Sequence, residues 1–404
     1  MIYLDNHATT PLDPEALEAM LPLLRDQFAN PGSTTHQAGR DVANLVSSAL
    51  QAIANCIGAQ EDEVVFTSGA TESNNLAVAG ICLHPRQKRR KVISVATEHP
   101  ALIDPIKRLE KHGFEVCWMP VYPQQSETPG RVDLECLLDA IDEDTALVSI
   151  MLANNEIGTL QPLRDIADCC HGAGAILHSD ATQAVGRLPV DVGELGVDLL
   201  SFSAHKFYGP KGVGGLYVHR RERRLRLAPQ IVGGGQQQNI RSGTLNAPGI
   251  VGMAKALEIC CRNLGDDSER ITSMRNQLWS RIQELVPEAM LNGPAIPIAK
   301  NLASLSKGGG SLSRLPGNLN VSFLPIEGQS LMLELPELAV SSGSACASAD
   351  PSPSHVLTQL GLSEDRARSS IRFGVGRMNT MSEMETVANW IHQAVIGLRT
   401  RMGI

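Results

Sequence analysis

The stretch Ser201-Phe-Ser-Ala-His-Lys-Phe-Tyr-Gly-Pro-Lys-Gly-Val-Gly-Gly215 sets how the whole chain is read. Val197 to Phe202 is an apolar run of strand length, and it ends in small and polar residues. His205 and Lys206 fall at the end of that run, ahead of a loop containing Gly209, Pro210, Gly212, Gly214 and Gly215. A lysine at the mouth of a buried strand loses hydration, which disfavours its ammonium form and leaves a nucleophilic amine. A surface lysine beside a glycine turn fits the same letters, so the decision rests on whether other segments bring partners to the amine.

Upstream, strand and helix patterns alternate. Asp13 is placed to cap a helix opened by Pro14, and a long helical pattern covers 37–57. Strands are predicted over 63–67, 91–96, 115–120, 146–152, 175–179 and 197–202, the last closing the run. Helices are predicted between them over 72–81, 101–112, 134–141 and 163–171. Strands separated by helices of about ten residues form βαβ units and a mostly parallel sheet, whose ligands sit at the carboxyl ends of the strands. From Asn246 the pattern changes to long helices over 250–263 and 269–285. Strands follow near 318–323 and 339–341, with helices near 354–360 and 382–398. The expected division is a large α/β domain over 13–265 and a smaller α+β domain made of 1–12 with 266–404.

Composition narrows the class. The chain has 404 residues, 43% hydrophobic and 19% charged, with 35 Lys plus Arg against 43 Asp plus Glu and a net charge of −8. That balance argues against a general nucleic-acid-binding surface, and the short basic run Arg220 to Arg226 reads as a solvated turn. No leader pattern opens the chain and no apolar run approaches the roughly 18 residues of a membrane span, so a cytoplasmic protein is expected. The nine cysteines are scattered, with no Cys-x-x-Cys. Free thiols in a reducing compartment are expected, most of them small core residues, with no structural metal site.

The strand ends carry the chemistry. Phe66-Thr-Ser-Gly-Ala-Thr-Glu-Ser-Asn74 is a strand end, a small-residue turn and a helix start. Amides at such a helix start, with a threonine hydroxyl, hold an anion, and Gly69, Ala70 and Thr71 let a phosphate approach. The absence of a Walker lysine disfavours a nucleoside triphosphate. His99 follows the strand 91–96 and reads either as a backbone-bonded core histidine or as a ring-stacking, proton-moving one. Asn154-Asn155-Glu156-Ile157-Gly158 and Asp180-Ala-Thr-Gln183 follow the next two strands. A carboxylate there needs a cation; about 4 kcal/mol of attraction at 4 Å could hold a heterocyclic nitrogen protonated, although a helix-capping aspartate is the competing reading. An imine-forming lysine, an acid, an anion cradle and a ring-facing histidine are together what pyridoxal phosphate requires.

With these stretches in view, the chain resembles the cysteine desulfurases of the iron–sulfur assembly type, a group of pyridoxal-phosphate enzymes within the class-V aminotransferase family. The resemblance is carried by Tyr3-Leu-Asp-Asn-His-Ala-Thr-Thr-Pro11, Phe66 to Ser73, Thr97-Glu-His99, Asn154 to Gly158 and His178 to Gln183. It continues through Ser201 to Lys206, Arg241-Ser-Gly-Thr244, Ser341-Ser-Gly-Ser-Ala-Cys346 and Ser370-Ile-Arg-Phe373. It implies an α/β aminotransferase-like fold (fold type I), a mostly parallel sheet with helices on both faces plus the smaller α+β domain, and a homodimer. It further implies that Lys206 bonds the cofactor, Asp180 faces the pyridine nitrogen, Gln183 the phenolic oxygen, and His99 stacks on the ring. Ala70, Thr71, Ser203 and His205 would hold the phosphate, with Thr244 reaching it from the other subunit. Asn155 and Arg372 would take the substrate carboxylate.

Cys346 decides the expected reaction. It lies in the small-residue run Ser341 to Ser354, unlike the other cysteines, which fall in helix or strand patterns. The resemblance implies that Lys206 removes the α-proton of L-cysteine and that the Cys346 thiolate attacks the substrate sulfur, leaving a persulfide and alanine. His99 is a candidate to deprotonate Cys346. The long loop is similar to that of the group passing sulfur to iron–sulfur scaffold and tRNA-thiolation proteins. Two departures bear on the acceptor: the stretch 299–316 is longer than the family pattern, and the chain ends soon after the 382–398 helix. Selenocysteine or cysteine sulfinate chemistry, an aminotransferase with a structural Cys346, and a silent sulfur carrier are the competing readings.

Overall fold

The computed structural model describes residues 1–221, 225–296, 313–342 and 352–404. Cys346 and most of the 299–316 stretch lie outside the described residues. In chain order the strands are β1 (Ile2–Tyr3), β2 (Val64–Thr67), β3 (Lys91–Val95), β4 (Glu115–Met119), β5 (Thr145–Ser149), β6 (Ile176–Asp180) and β7 (Leu199–Ser203). They continue as β8 (Gly214–Val218), β9 (Met290–Leu291), β10 (Asn318–Ser322), β11 (Leu338–Ala339), β12 (Ser341–Ser342) and β13 (Ser370–Gly374).

The apolar runs behave as strands covered on both faces. Val92, Leu147 and Leu199 enter one core, and their neighbours Ile93, Val148 and Leu200 enter the other. Successive side chains of a strand point to opposite faces, so both faces of this sheet are buried. The helices Ala70–Cys82 and Pro100–Glu110 cover one face through Leu76, Ala77, Leu102 and Ile106. The Gln37–Ile57 and Ala247–Arg262 helices contribute Val46, Ile53, Met253 and Leu257 to the other core. Asp13 caps the Pro14–Arg25 helix as expected, accepting from the Glu15 amide.

The seven-stranded sheet runs β2-β8-β7-β6-β5-β3-β4. Its neighbouring pairs are parallel except those of β8, which lies antiparallel to both β2 and β7. β8 corrects the expectation that 197–202 closes the run and that a loop extends to Gly215. Its first two residues are glycines because the sheet leaves no space there: a Cβ on Gly214 would stand 2.6 Å from Phe202 O and 2.7 Å from Gly69 Cα. A Cβ on Gly215 would stand 2.3 Å from Phe202 Cζ. Glycines that read as a turn are therefore a strand pressed against an aromatic ring. The predicted strand 146–152 also ends earlier, at Ser149, which leaves Met151 to Asn155 as irregular backbone beyond the sheet.

A third core gathers Leu4, Leu278, Ile282, Leu319, Val321, Phe373, Met384 and Ile391. Its framework is the antiparallel sheet β12-β13-β10-β9 with the helices Leu264–Leu285 and Met381–Met402. β13 was not among the predicted strands, although its five residues are all buried and it carries Arg372. The N-terminal segment belongs to this core, pairing β1 with β11 and bridging Asp5 to Gly374, and it then reaches the turn after β7 through the Thr10 amide and His205 O. The eight described cysteines are all free, but only Cys82, Cys170 and Cys260 are buried; Cys136 is exposed. Cys56, Cys117 and Cys261 are half-buried and pack against a core, so most of the described cysteines lie in or against one as expected; Cys136 and Cys169 do not. No helix among the described residues is long and apolar enough to cross a membrane.

Candidate active site

Lys206 closes the tight turn Ala204–Lys206 that follows β7. The turn is fixed from two sides. Thr10 donates its amide to His205 O at 2.9 Å, and Arg187 donates Nε and Nη2 to Lys206 O at 3.1 and 2.8 Å. The same guanidinium reaches His7 Nδ1 at 2.7 Å and Gln183 Oε1 at 2.9 Å. Lys206 Nζ donates to the carbonyls of His7 and Ala8 at 2.7 and 2.8 Å. The N-terminal motif thus crosses directly under the turn that carries the amine.

Asp180 ends β6, one strand away from the lysine turn, and is only 6% exposed. Its Oδ2 accepts from Asn74 Nδ2 at 2.7 Å and its Oδ1 from the Thr182 amide at 2.9 Å. The capping reading of Asp180 is met on Oδ1, while Oδ2 is held by the Asn74 amide. Behind it His178 spans three strands, with Nδ1 2.7 Å from Ser149 Oγ and Nε2 2.9 Å from Ser201 Oγ. Burial holds that imidazole down at about 4, so it stays neutral at physiological pH.

His99 precedes the Pro100–Glu110 helix and caps it, Nδ1 accepting from the Ala101 amide at 3.1 Å. Burial lowers its proton affinity. The backbone-bonded reading is correct for Nδ1, and the ring also borders the cavity.

The turn after β2 forms an anion cradle. Gly69 adopts φ 148° and ψ −179°, where L side chains are rare, and no side chain caps the 13-residue Ala70–Cys82 helix behind it. A Cβ on Gly69 would stand 3.5 Å from Ser203 Oγ, across the hollow also bordered by Thr71 and His205. His205 Nδ1 lies 3.1 Å from Thr9 Oγ1, and burial followed by the Lys206 charge holds its ring down at about 4. An uncapped helix start, a hydroxyl from Ser203, a primary amine and a buried carboxylate fit the phosphate, aldehyde and ring nitrogen of pyridoxal phosphate.

Arg372, 1% exposed, donates Nη2 to Asp5 Oδ1 at 2.9 Å and Nη1 to Asn155 O at 3.2 Å. Its Nε has no partner. A buried guanidinium with one carboxylate and a spare donor is suited to a ligand carboxylate. Asn154, beside Asn155, has a structural role: Nδ2 donates to Thr97 O, and Oδ1 accepts from the amides of Glu156 and Ile157.

Lys206, Asp180, His99, Arg372 and the Gly69 cradle border one cavity of about 680 Å³. Ala70, Thr71, His99, Asn155, Asp180, Gln183, Ser203, His205, Lys206 and Arg372 line it, as the sequence reading expects. Thr244 does not; it is exposed, on a segment held by a 2.8 Å pair between Arg241 and Glu72. Cys346 lies outside the described residues, but its flanks reach the cavity: Ser341 is in register with Arg372, and Ser352 and Pro353 are lining residues. His7, Arg187, Asn74 and Asp5 were missed as functional partners. His7 and Asp5 stood inside a quoted motif, and Arg187 stands out as a charge in the small apolar run Ala184-Val185-Gly186.

Two further acids are buried near these groups, Glu156 lining the cavity and Glu98 preceding His99 in the chain. Glu98 is fully buried, accepts from the Met151 amide at 2.6 Å and leaves Oε2 without a partner; burial raises its carboxyl well above the usual range. Glu156 accepts from Ser354 Oγ, and burial pushes it up to about 7 against the pull of that bond and of Arg372. An acid whose folded value is raised contributes its stability below its unfolded value and loses it as pH rises through the folded one. Glu156→Gln, which keeps an acceptor for Ser354, is therefore expected to gain Tm relative to the parent between about pH 4.5 and 7. The expected gain, on the order of 1–3 kcal/mol at neutral pH, is read from melting curves of both proteins across that window.

Residues 2–387 match the family model described as Aminotransferase class-V. The chain is 42% identical over 398 residues to a cysteine desulfurase IscS of Rickettsia massiliae, covering 98% of this chain and 92% of that protein. Among solved structures it superposes on a NifS-like protein with TM-score 0.85 at 34% identity, covering 97% of this chain and 98% of that one. It also superposes on a NifS-like protein from Rickettsia africae with TM-score 0.81 at 30% identity, covering 98% of this chain and 99% of that one. A cavity built around Lys206, Asp180 and the Gly69 cradle, on a sheet shared with these proteins, places the chain in the class-V aminotransferase family and, within it, among the cysteine desulfurases.

Proposed function

We propose that this chain takes sulfur from L-cysteine, leaving L-alanine, and carries it as a persulfide on Cys346 for delivery to acceptor proteins. The observation that carries the reading is the convergence of Lys206, Asp180, His99 and Arg372 on one cavity to which both flanks of the Cys346 segment lead.

Lys206, Asp180, His99, Gln183 and the cradle of Gly69, Ala70, Thr71, Ser203 and His205 would hold pyridoxal phosphate, with Thr244 added by a second subunit. When bound, that cofactor supplies an electrophilic carbon and a conjugated ring that takes up electron density from the substrate Cα. Arg372 and Asn155 orient the substrate by its carboxylate. Lys206 Nζ, once released, takes the proton from Cα. The Cys346 thiolate then bonds the substrate sulfur as the carbon–sulfur bond breaks, so that thiol plus cysteine becomes persulfide plus alanine with atoms balanced. In the sequence Cys346 falls four residues after Ser342 and six before Ser352.

The protein is read as a homodimer of the cytoplasm, and its acceptors as an iron–sulfur scaffold, with a tRNA-thiolation partner as a second destination. The direct test supplies L-cysteine, a thiol reductant and pyridoxal phosphate and counts products. Alanine and sulfide in equal amounts are expected; pyruvate, or no alanine, would contradict the reading. Arg372→Lys is expected to raise KM for L-cysteine on the order of 10- to 100-fold, the equivalent of about 1.5–3 kcal/mol for a charge-assisted hydrogen bond. Steady-state kinetics check it, with kcat changing less than KM.

A further inference from the structure

Four histidines border the cavity: His7, His99, His205 and His355. A backbone amide only donates and a carbonyl only accepts, so the fixed partner of a neutral imidazole sets its tautomer. His99 Nδ1 accepts from the Ala101 amide, so its proton is on Nε2. His7 Nδ1 accepts from Arg187 Nη1, which puts its proton on Nε2 as well. To accept a proton, either ring must give up the bond that holds it. His205 is kept neutral by burial and the adjoining Lys206.

His355 has the opposite arrangement. Its Nε2 is 2.9 Å from the backbone oxygen of Glu98, so Nε2 carries the proton and the lone pair is on Nδ1. Nδ1 is not among the buried, partnerless atoms of the protein. The ring is held by a rigid root: Ser354 accepts from the Leu357 amide at 3.2 Å and bonds Glu156. Val356, Leu357 and Leu360 pack with Ile157 in a small core of their own.

We propose that His355, through Nδ1, is the group that accepts a thiol proton in this cavity, and that His99 acts there only as a donor. This rests on the desulfurase reading. In the step, the thiol S–H bond breaks, its electron pair stays on sulfur, and the proton bonds Nδ1 while Nε2–H stays on Glu98 O. The net reaction neither consumes nor releases a proton, so what His355 takes is returned when the methyl group of alanine is completed. The titratable and charged groups that share the surroundings are Glu98, behind the ring, and the cavity's His7, Glu72, His99, Glu156, Asp180, His205, Lys206, Lys211 and Arg372. Both buried glutamates have raised values. The thiol is that of the substrate or that of Cys346.

The test uses the holoenzyme with His355→Gln, which keeps an N–H for Glu98 O but cannot take a proton. Single-turnover persulfide formation from L-cysteine is followed against pH, alongside exchange of the L-alanine α-proton with deuterated water, which needs Lys206 but no thiol proton acceptor. Expected are a fall in persulfide formation of about 10²-fold or more, loss of the parent's rise with pH, and unchanged exchange. Imidazole added to His355→Ala is expected to restore the rate in proportion to its concentration, which keeps the test open if the first variant misfolds. An unchanged rate and pH profile in His355→Gln with exchange intact, or no rescue of a folded His355→Ala, overturns the proposal. Absence of both exchange and turnover in the parent overturns the desulfurase reading instead. Alkylation of resting Cys346 by iodoacetamide separates the sources: a midpoint shifted to higher pH in His355→Gln assigns the Cys346 thiol, and an unshifted one assigns the substrate thiol.

Discussion

Lys206→Ala is expected to leave L-cysteine untouched, with kcat reduced by on the order of 10⁴-fold or more, because the variant loses both a covalent anchor and a positioned base. The geometry isolates this effect from folding. The turn is held through the Lys206 carbonyl by Arg187 and through His205 O by the Thr10 amide, and neither contact involves the amine. Removing Nζ takes a donor from His7 O and Ala8 O, but His7 O still accepts from Gln183 Nε2 at 2.9 Å. The stability loss should stay near 1–2 kcal/mol. Lys211 also borders the cavity but is exposed, so it lacks the desolvation that would make it a substitute. Borohydride treatment reads the outcome: it fixes the cofactor to the parent chain and should fix none to Lys206→Ala. Fixation at undiminished yield would move the anchor to another lysine.

Cys346→Ala is expected to separate the two halves of the reaction. The Cα proton of L-cysteine should still exchange with solvent, since Lys206, Asp180 and Arg372 are intact, while alanine and persulfide formation fall to background. The distinction matters because the described cysteines are poor stand-ins. Burial pushes the thiols of Cys82 and Cys260 up to about 12, which leaves almost no thiolate at neutral pH. Neither they nor the exposed Cys136 line the cavity. Persistent alanine production by Cys346→Ala would make the cysteine incidental and favour the aminotransferase or lyase alternatives.

The parts of the site legible in the sequence were those that a buried strand delivers to its own carboxyl end. Asp180, Lys206 and the Gly69 turn follow apolar runs whose length fixed both the strand and its exit, and β6 and β7 end within one residue of the predicted positions. The partners were not legible, because they come from distant segments. Asn74 meets Asp180 across 106 positions and Asp5 meets Arg372 across 367. Nothing local in Ser370 to Gly374 separates a strand from a loop until β10 and β12 flank it. β8 was hidden for a physical reason: glycine signals a turn by default, and only the ring of Phe202 against Gly215 shows why a strand there has no side chain. His355 was missed because its role depends on which nitrogen Glu98 O holds, a choice that no spacing encodes.

The central claim is that sulfur from L-cysteine comes to rest on Cys346. The holoenzyme is incubated with sulfur-labelled L-cysteine without reductant, alkylated, digested, and its cysteine peptides weighed. The account predicts one labelled sulfur atom on the peptide containing Cys346, in an amount equal to the alanine released, and none on the peptides of the other eight cysteines. Alanine released in full with no added sulfur on Cys346, or the label on another cysteine, would contradict it.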